Sequence, residues 1–248
     1  MRTSYSLVSN PPWVADLIAL AYPKMQDEIR PQWLPKFGDV LPGRGNRISA
    51  EVEEYGCGAY GCVLPTLDPK VVLKVTTDDT EAEFAGGLAN TLSVPICVRY
   101  YAVLPMGVKH KDRPVTMLWR ESADYVGHLD EYLAASVRPD MVGDIQDYAS
   151  ALIHTQWEAS QVAFRAIYTQ APQADQQAAI GAWLATCETM ARQTHVPELR
   201  ALGHGLVDVY VAQGVVFGDM HEGNIGLVHR SDGDRWVITD PGHIAVVA

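Results

Sequence analysis

Two short polar motifs near the end of the chain constrain its fold more than any other feature. The first is Gly218-Asp219-Met220-His221-Glu222-Gly223-Asn224-Ile225, and the second is Ile238-Thr239-Asp240-Pro241-Gly242. Leu199, Leu202, Leu206, Val209 and Tyr210 precede the first as the apolar stripe of a helix, with Gly214 as its stop. Ile225–Val228 and Trp236–Thr239 then flank Ser231-Asp232-Gly233-Asp234, a hairpin turn. The fold must therefore present an Asp and an Asn from one loop, and a second Asp from the end of the next hairpin. Each piece alone reads as polar turn residues. All of them in this order, on these elements, do not.

The earlier half reads as strands. Ile48, Ala50 and Val52 alternate with polar residues at strand period. A glycine-rich turn leads into Cys62-Val63-Leu64, Pro65–Pro69 turns the chain, and Val71–Val75 is a third strand. Neighbouring strands this short pair antiparallel. Asp78-Asp79-Thr80 opens a helix, and Phe84, Leu88 and Leu92 give its spacing. Gly86-Gly87 weaken that helix and suggest close packing. Val98–Leu104 and Val115–Trp119 are two more strands, joined by the charged stretch Lys109–Arg113. The Ala- and Gln-rich middle, Val126–Thr194, predicts several helices. Before all of this lies a leader to Arg47, expected to pack on the later elements, with one short helix over Val14–Ala21 and a loop over Leu41–Arg47.

Several residues on these elements suit phosphate chemistry. Gly56, Gly58, Gly61 and Val63 fit G-x-G-x-x-G-x-V, a turn whose missing side chains let backbone close over phosphates. A plain glycine hairpin explains the same match about half the time. Strand rather than helix follows the turn, which argues against a dinucleotide-binding βα unit. Lys74 lies in the third strand, thirteen positions after Gly61. A lysine placed there holds α- and β-phosphates and needs a carboxylate to orient it. Glu81 on the next helix is favoured for that task over Glu83, which faces another direction. Asp219 would accept or orient the proton of an attacking hydroxyl, while Asn224 and Asp240 would hold magnesium. His221 reads as a hydrogen-bonder within its loop.

Composition narrows the field further. A diffuse net charge of −11 argues against a phosphate-neutralising nucleic-acid surface. The four cysteines (Cys57, Cys62, Cys97 and Cys187) have neither CxxC nor zinc spacing, and are expected as reduced thiols. No signal peptide and no apolar run long enough for a bilayer is read, so a cytoplasmic setting is expected.

Together these motifs resemble the protein-kinase-like superfamily. Asp219–Ile225 is similar to the loop of aminoglycoside and choline phosphotransferases. It resembles still more the early serine/threonine protein kinases of short-tailed, coliphage-like bacteriophages, which carry Asp-Met-His-x-Gly-Asn-Ile and then Ile-Thr-Asp-Pro. The short path from the lysine strand through a helix to Val94-Pro95 is shared as well. The resemblance spans about Tyr55–Val246, tightly only at the motifs.

The resemblance implies an α+β, two-lobed fold, with a small antiparallel β lobe over residues 48–123 and a mainly helical large lobe over 124–248, after an extension over 1–47. It implies ATP and magnesium in the cleft between lobes, with the adenine on backbone groups near Glu121 and Trp119 nearby. The acceptor would be a protein, most fittingly a host bacterial protein in the host cytoplasm, with neither nucleic acid nor membrane as partner. A small-molecule kinase, a binding-only pseudokinase and AMP transfer remain alternatives. Gly218 replaces the Arg of regulated kinases, Pro241 replaces the Phe of Asp-Phe-Gly, and the chain ends six residues after Gly242. Control through an activation-loop phosphate, the Phe in/out switch and peptide-docking helices are accordingly not expected.

Overall fold

The computed structural model describes residues 12–36, 56–57, 60–87, 94–125, 142–193 and 196–247. The expected strand over 48–53, the loop over 41–47, Gly58, Leu88 and Leu92 lie outside these residues. The described chain is α+β and divides into two compact units, Met1–Thr91 with Arg99–Ser122, and Leu92–Val98 with Ala123–Ala248.

The first unit is built on an antiparallel sheet of β1 (Gly56–Cys57), β2 (Gly61–Pro65), β3 (Val71–Thr76), β4 (Tyr100–His110) and β5 (Arg113–Glu121), in the order β1-β2-β3-β5-β4. Its central strand, β3, is buried along its whole length, and its alternating side chains enter two different surroundings. Leu73 and Val75, with Cys62, Leu64, Met117 and Trp119, join one apolar core. Lys74 lies opposite Val63 and Leu118, on the other face.

Helix α1 (Pro12–Glu28) covers the apolar face. Val14, Leu17, Ile18, Ala21, Met25 and Ile29 recur at helical spacing and are all buried there. Each large apolar side chain among them contributes roughly 1.5–3 kcal/mol. The helix exceeds the expected Val14–Ala21 because Pro23 sits inside it, where sequence reasoning stops a helix. The chain leaving α1 stays on the sheet: the Trp119 indole N–H donates to the Trp33 carbonyl at 2.8 Å.

On the other face lies α2 (Asp79–Gly86). The Asp78 side chain caps it, accepting from the Thr80 and Glu81 amides. Gly86 and Gly87 end the helix rather than pack it. A Cβ at Gly86 would meet nothing, and Gly87 is the C-cap.

The second unit has three long helices, α3 (Val142–Tyr168), α4 (Gln173–Gln193) and α5 (Pro197–Gln213). Leu199, Leu202, Leu206 and Val209 form the buried stripe of α5, which stops at Gly214 in the left-handed conformation. Strand β7 (Val215–Phe217) comes next and pairs with β10 (Ile244–Val246), a strand too short to carry a sequence signal. The hairpin β8 (Ile225–Arg230) and β9 (Gly233–Ile238) pairs with the short β6 (Asp124–Tyr125).

The β4–β5 hairpin turns through Lys111 and Asp112, both at positive φ (49° and 65°). Two positive φ angles suit the right-handed twist of a hairpin, yet each costs a non-glycine residue roughly 1 kcal/mol or more. The double variant Lys111→Asn, Asp112→Gly is expected to gain about 1 kcal/mol. Urea unfolding checks this as a higher midpoint at unchanged slope.

Candidate functional site

In the first unit, strand and helix bring Lys74 and Glu81 together. Lys74 Nζ lies 2.7 Å from Glu81 Oε2, with side chains 5% and 0% exposed. The Tyr100 hydroxyl donates to Glu81 Oε1 at 3.0 Å, and the Tyr100 ring meets Phe84 edge-on. The Asp78 cap fixes where α2 begins, so Glu81 faces the sheet in its first turn while Glu83 is exposed. Desolvating two charges is costly, and removing one partner of such a pair costs about 3–5 kcal/mol. A pair this dry is held by the packing around it.

The glycine turn has a structural requirement of its own. A Cβ on Gly61 would collide with the Val75 carbonyl of β3, so Gly61 is demanded by close strand approach whatever it binds. Gly56 pairs with Val63, which is half-buried beside Lys74.

One expectation is corrected here. Cys57 and Cys62 are not free thiols but a disulfide, with Cα atoms 4.1 Å apart. They stand directly opposite in the β1–β2 register, where side chains share one face. Spacing read for metal ligands misses this, because the pairing is set by hairpin register. Cys97 and Cys187 are free and buried. Burial pushes both thiols well up, Cys187 to about 12, which makes them inert at neutral pH.

Glu121 is buried, and its carboxylate Oε2 accepts from the Arg99 amide at 3.2 Å. The amide of Glu121 donates to the Arg99 carbonyl, and that of Ser122 to the Lys70 carbonyl. Trp119 points the other way, into the core beneath α1.

In the second unit, the loop after β7 carries Asp219. Gly218 donates its amide to the His243 carbonyl at 2.8 Å. A Cβ there would lie 2.7 Å from Phe164 on α3 and 2.9 Å from that carbonyl. Packing thus explains the glycine before Asp219. The loop then closes in a 3-10 turn, Glu222–Asn224. Asn224 Nδ2 donates to the Asp219 carbonyl at 2.8 Å and to its carboxylate Oδ2 at 3.2 Å. The Asn224 amide donates to the His221 carbonyl, and its own carbonyl accepts from the Thr239 amide. That last bond, 2.8 Å long, ties Asn224 to the residue before half-buried Asp240. His221 Nδ1 accepts from the Gly223 amide at 3.0 Å, which leaves the ring proton on Nε2, 3.8 Å from Asp219 Oδ1. His221 is thereby a loop hydrogen-bonder, braced edge-on by Trp157.

Donor chemistry suits a hard cation. Two hydrogen bonds from Nδ2 to Asp219 leave Asn224 its Oδ1 to offer, and Asp219 and Asp240 add carboxylates to the same loop and hairpin end. Among the described residues no group of three or more His, Cys, Asp or Glu is placed around a metal. A cation bound there would complete its shell with water and phosphate oxygens, as magnesium does.

Sequence reasoning overlooked one further cluster. On the hairpin that leads to Asp240, His229 bridges Asp234 (Nδ1 to Oδ1, 2.8 Å) and Asp124 (Nε2 to Oδ2, 3.0 Å). The hydrogen bonds to Asp234 and then Asp124 raise its pKa above 6.5. The clue was available as alternating acidic and basic residues at the hairpin ends, but the third partner comes from β6, 105 residues away. The sequence matches no family model, and no curated protein matches it.

Two measurements test these features. A chromogenic thiol reagent should find no fast-reacting thiol in native, unreduced protein, two thiols in denaturant, and four in denaturant with reductant. Two fast native thiols would remove the disulfide. Because its pKa is raised on folding, His229 stabilises fully below about pH 6.5, and this contribution fades as pH rises through the folded value. Thermal melting across pH 6–9 should show a small loss that His229→Gln abolishes.

Proposed function

We propose that the chain is an ATP- and magnesium-dependent phosphotransferase of the protein-kinase-like type, acting on a protein serine or threonine. The observation that carries this reading is the buried Lys74–Glu81 pair at 2.7 Å. A solvated strand lysine needs no such partner, whereas a lysine that positions phosphates does. The hydrogen-bonded Asp219–Asn224 loop, with Asp240 one residue past the Thr239–Asn224 bond, supports it independently.

Each residue then has a task. Lys74 holds the α- and β-phosphates, oriented by Glu81. The backbone of Gly56–Gly61, with Val63, closes over the nucleotide. Asn224 Oδ1 and the Asp240 carboxylate hold magnesium, which neutralises phosphate charge when bound. Asp219 receives the proton of the acceptor hydroxyl as its oxygen bonds to the γ-phosphorus. The bond to the β–γ bridging oxygen breaks, and ADP leaves. Catalysis is positioning and charge stabilisation rather than covalent chemistry on the protein. The protein acceptor, and the choice of bacterial host proteins as targets, rest on Asp-Met-His-x-Gly-Asn-Ile and Ile-Thr-Asp-Pro, the two motifs shared with phage serine/threonine kinases.

The test is incubation with γ-labelled ATP and magnesium in bacterial lysate. Label should appear on the protein or on lysate proteins. Asp219→Ala should remove at least about 99% of it while nucleotide still binds, since general-base contributions run to about 10²–10⁴-fold. Asp240→Ala should lose the magnesium dependence of binding. Glu81→Gln should lower transfer more than about tenfold, on the order of one charged hydrogen bond, whereas Glu83→Gln should stay near wild type. Full transfer by the Asp219 variant would overturn the assignment.

A further inference from the structure

On the Lys74 face of the first unit's sheet lies a second buried cation. Arg120, near the end of β5, is 7% exposed, and neither Nε nor Nη1 has a hydrogen-bond partner among the described residues. Its strand neighbours are Val72 on β3 and Tyr100 on β4. Lys74 lies two residues further along the same face of β3, satisfied by Glu81. A guanidinium does not shed its proton, so it cannot escape burial by neutralising, and it offers donors only. Buried and incompletely matched, such a group carries a standing desolvation cost that an acceptor-rich ligand would offset.

The ligand's identity is narrowed by what lies beside it. Lys74 serves the phosphate end in the phosphotransferase reading, and the family resemblance puts the base near Glu121. The two nearest backbone donors are committed, the Glu121 amide to Arg99 and the Ser122 amide to Lys70. Those two amides are not free for the acceptor atoms of a base, and Arg120 is the preceding residue on β5. Guanine presents two acceptors, N7 and O6, along one edge. Adenine presents N7 beside an amino donor, which opposes a guanidinium N–H.

We propose that Arg120 is a specificity-determining residue for the donor nucleotide, and that it makes the site accept GTP at least as well as ATP. This rests on the phosphotransferase reading and deepens it. One charged hydrogen bond gained with O6 and lost opposite the amino group corresponds to roughly tenfold or more in relative affinity.

Calorimetric titration of the full chain with Mg-ATP and with Mg-GTP tests it. The wild type should bind GTP as tightly as ATP or more tightly. Arg120→Met, of similar length and apolar, should lower the GTP-to-ATP affinity ratio about tenfold or more. Arg120→Lys keeps the charge without the fork and should give an intermediate ratio. It decides the matter if the Met variant fails to melt cooperatively. A ratio unchanged in the folded variants, or ATP binding without GTP binding in the wild type, overturns this inference and leaves the phosphotransferase reading standing. Binding of neither nucleotide overturns both.

Discussion

A buried ion pair is stable only where something else supplies the free energy of holding it dry. Lys74 and Glu81 are almost wholly removed from solvent at 2.7 Å, and their mutual attraction does little more than offset desolvation. The surplus comes from the opposite side of the same strand. Leu73 and Val75 anchor β3 in an apolar core closed by α1. The charged face of the sheet thus depends on its apolar face, and β3 is where the two meet. Asp78 completes the arrangement by setting where α2 begins, and Tyr100 by engaging the second carboxylate oxygen.

The second unit positions its polar residues by another means. Among the described residues, Asp219 is held chiefly by the side-chain amide of Asn224 rather than by a close lysine or arginine. Asn224 reaches both the carbonyl and the carboxylate of Asp219, and a backbone bond ties Asn224 to the hairpin end. Gly218 lets the loop lie against Phe164 and the His243 carbonyl. A network of this kind fixes the geometry of the loop while leaving the Asp219 carboxylate partly in solvent. The interactions inside it reinforce one another, so the removal of Asn224 would disturb Asp219 as well.

Much of this was legible in the sequence, and the limits have physical causes. Strands β2, β3 and β5, the Asp78 cap, the α5 stripe with its Gly214 stop and the β8–β9 hairpin all rest on local patterns, and local patterns survive in a sequence. The preference for Glu81 over Glu83 came from the buried side of one short helix, and their exposures differ accordingly. What escaped was set by partners distant in the chain or by register. The length of α1 was hidden by Pro23, because only packing on the sheet keeps a helix going through a proline. The Cys57–Cys62 bond needed the pairing of two strands to be known. The Asp124–His229–Asp234 cluster needed β6 placed beside β8. Arg120 reads in sequence as one more charged residue at a strand end, and only burial sets it apart.

The order in which the first unit's pieces leave the ribosome carries a cost. Helix α1 precedes the sheet in the chain, yet the surface that buries its apolar stripe is finished only with β5. The bond from the Trp119 indole to the Trp33 carbonyl spans 86 residues. Contacts that distant close slowly, and until they close the apolar stripe from Val14 to Ile29 has no native surface to cover it. The nascent chain therefore passes through a stage in which the apolar stripe of α1 is uncovered. Chaperone demand during synthesis should track the emergence of β5 rather than the completion of the chain.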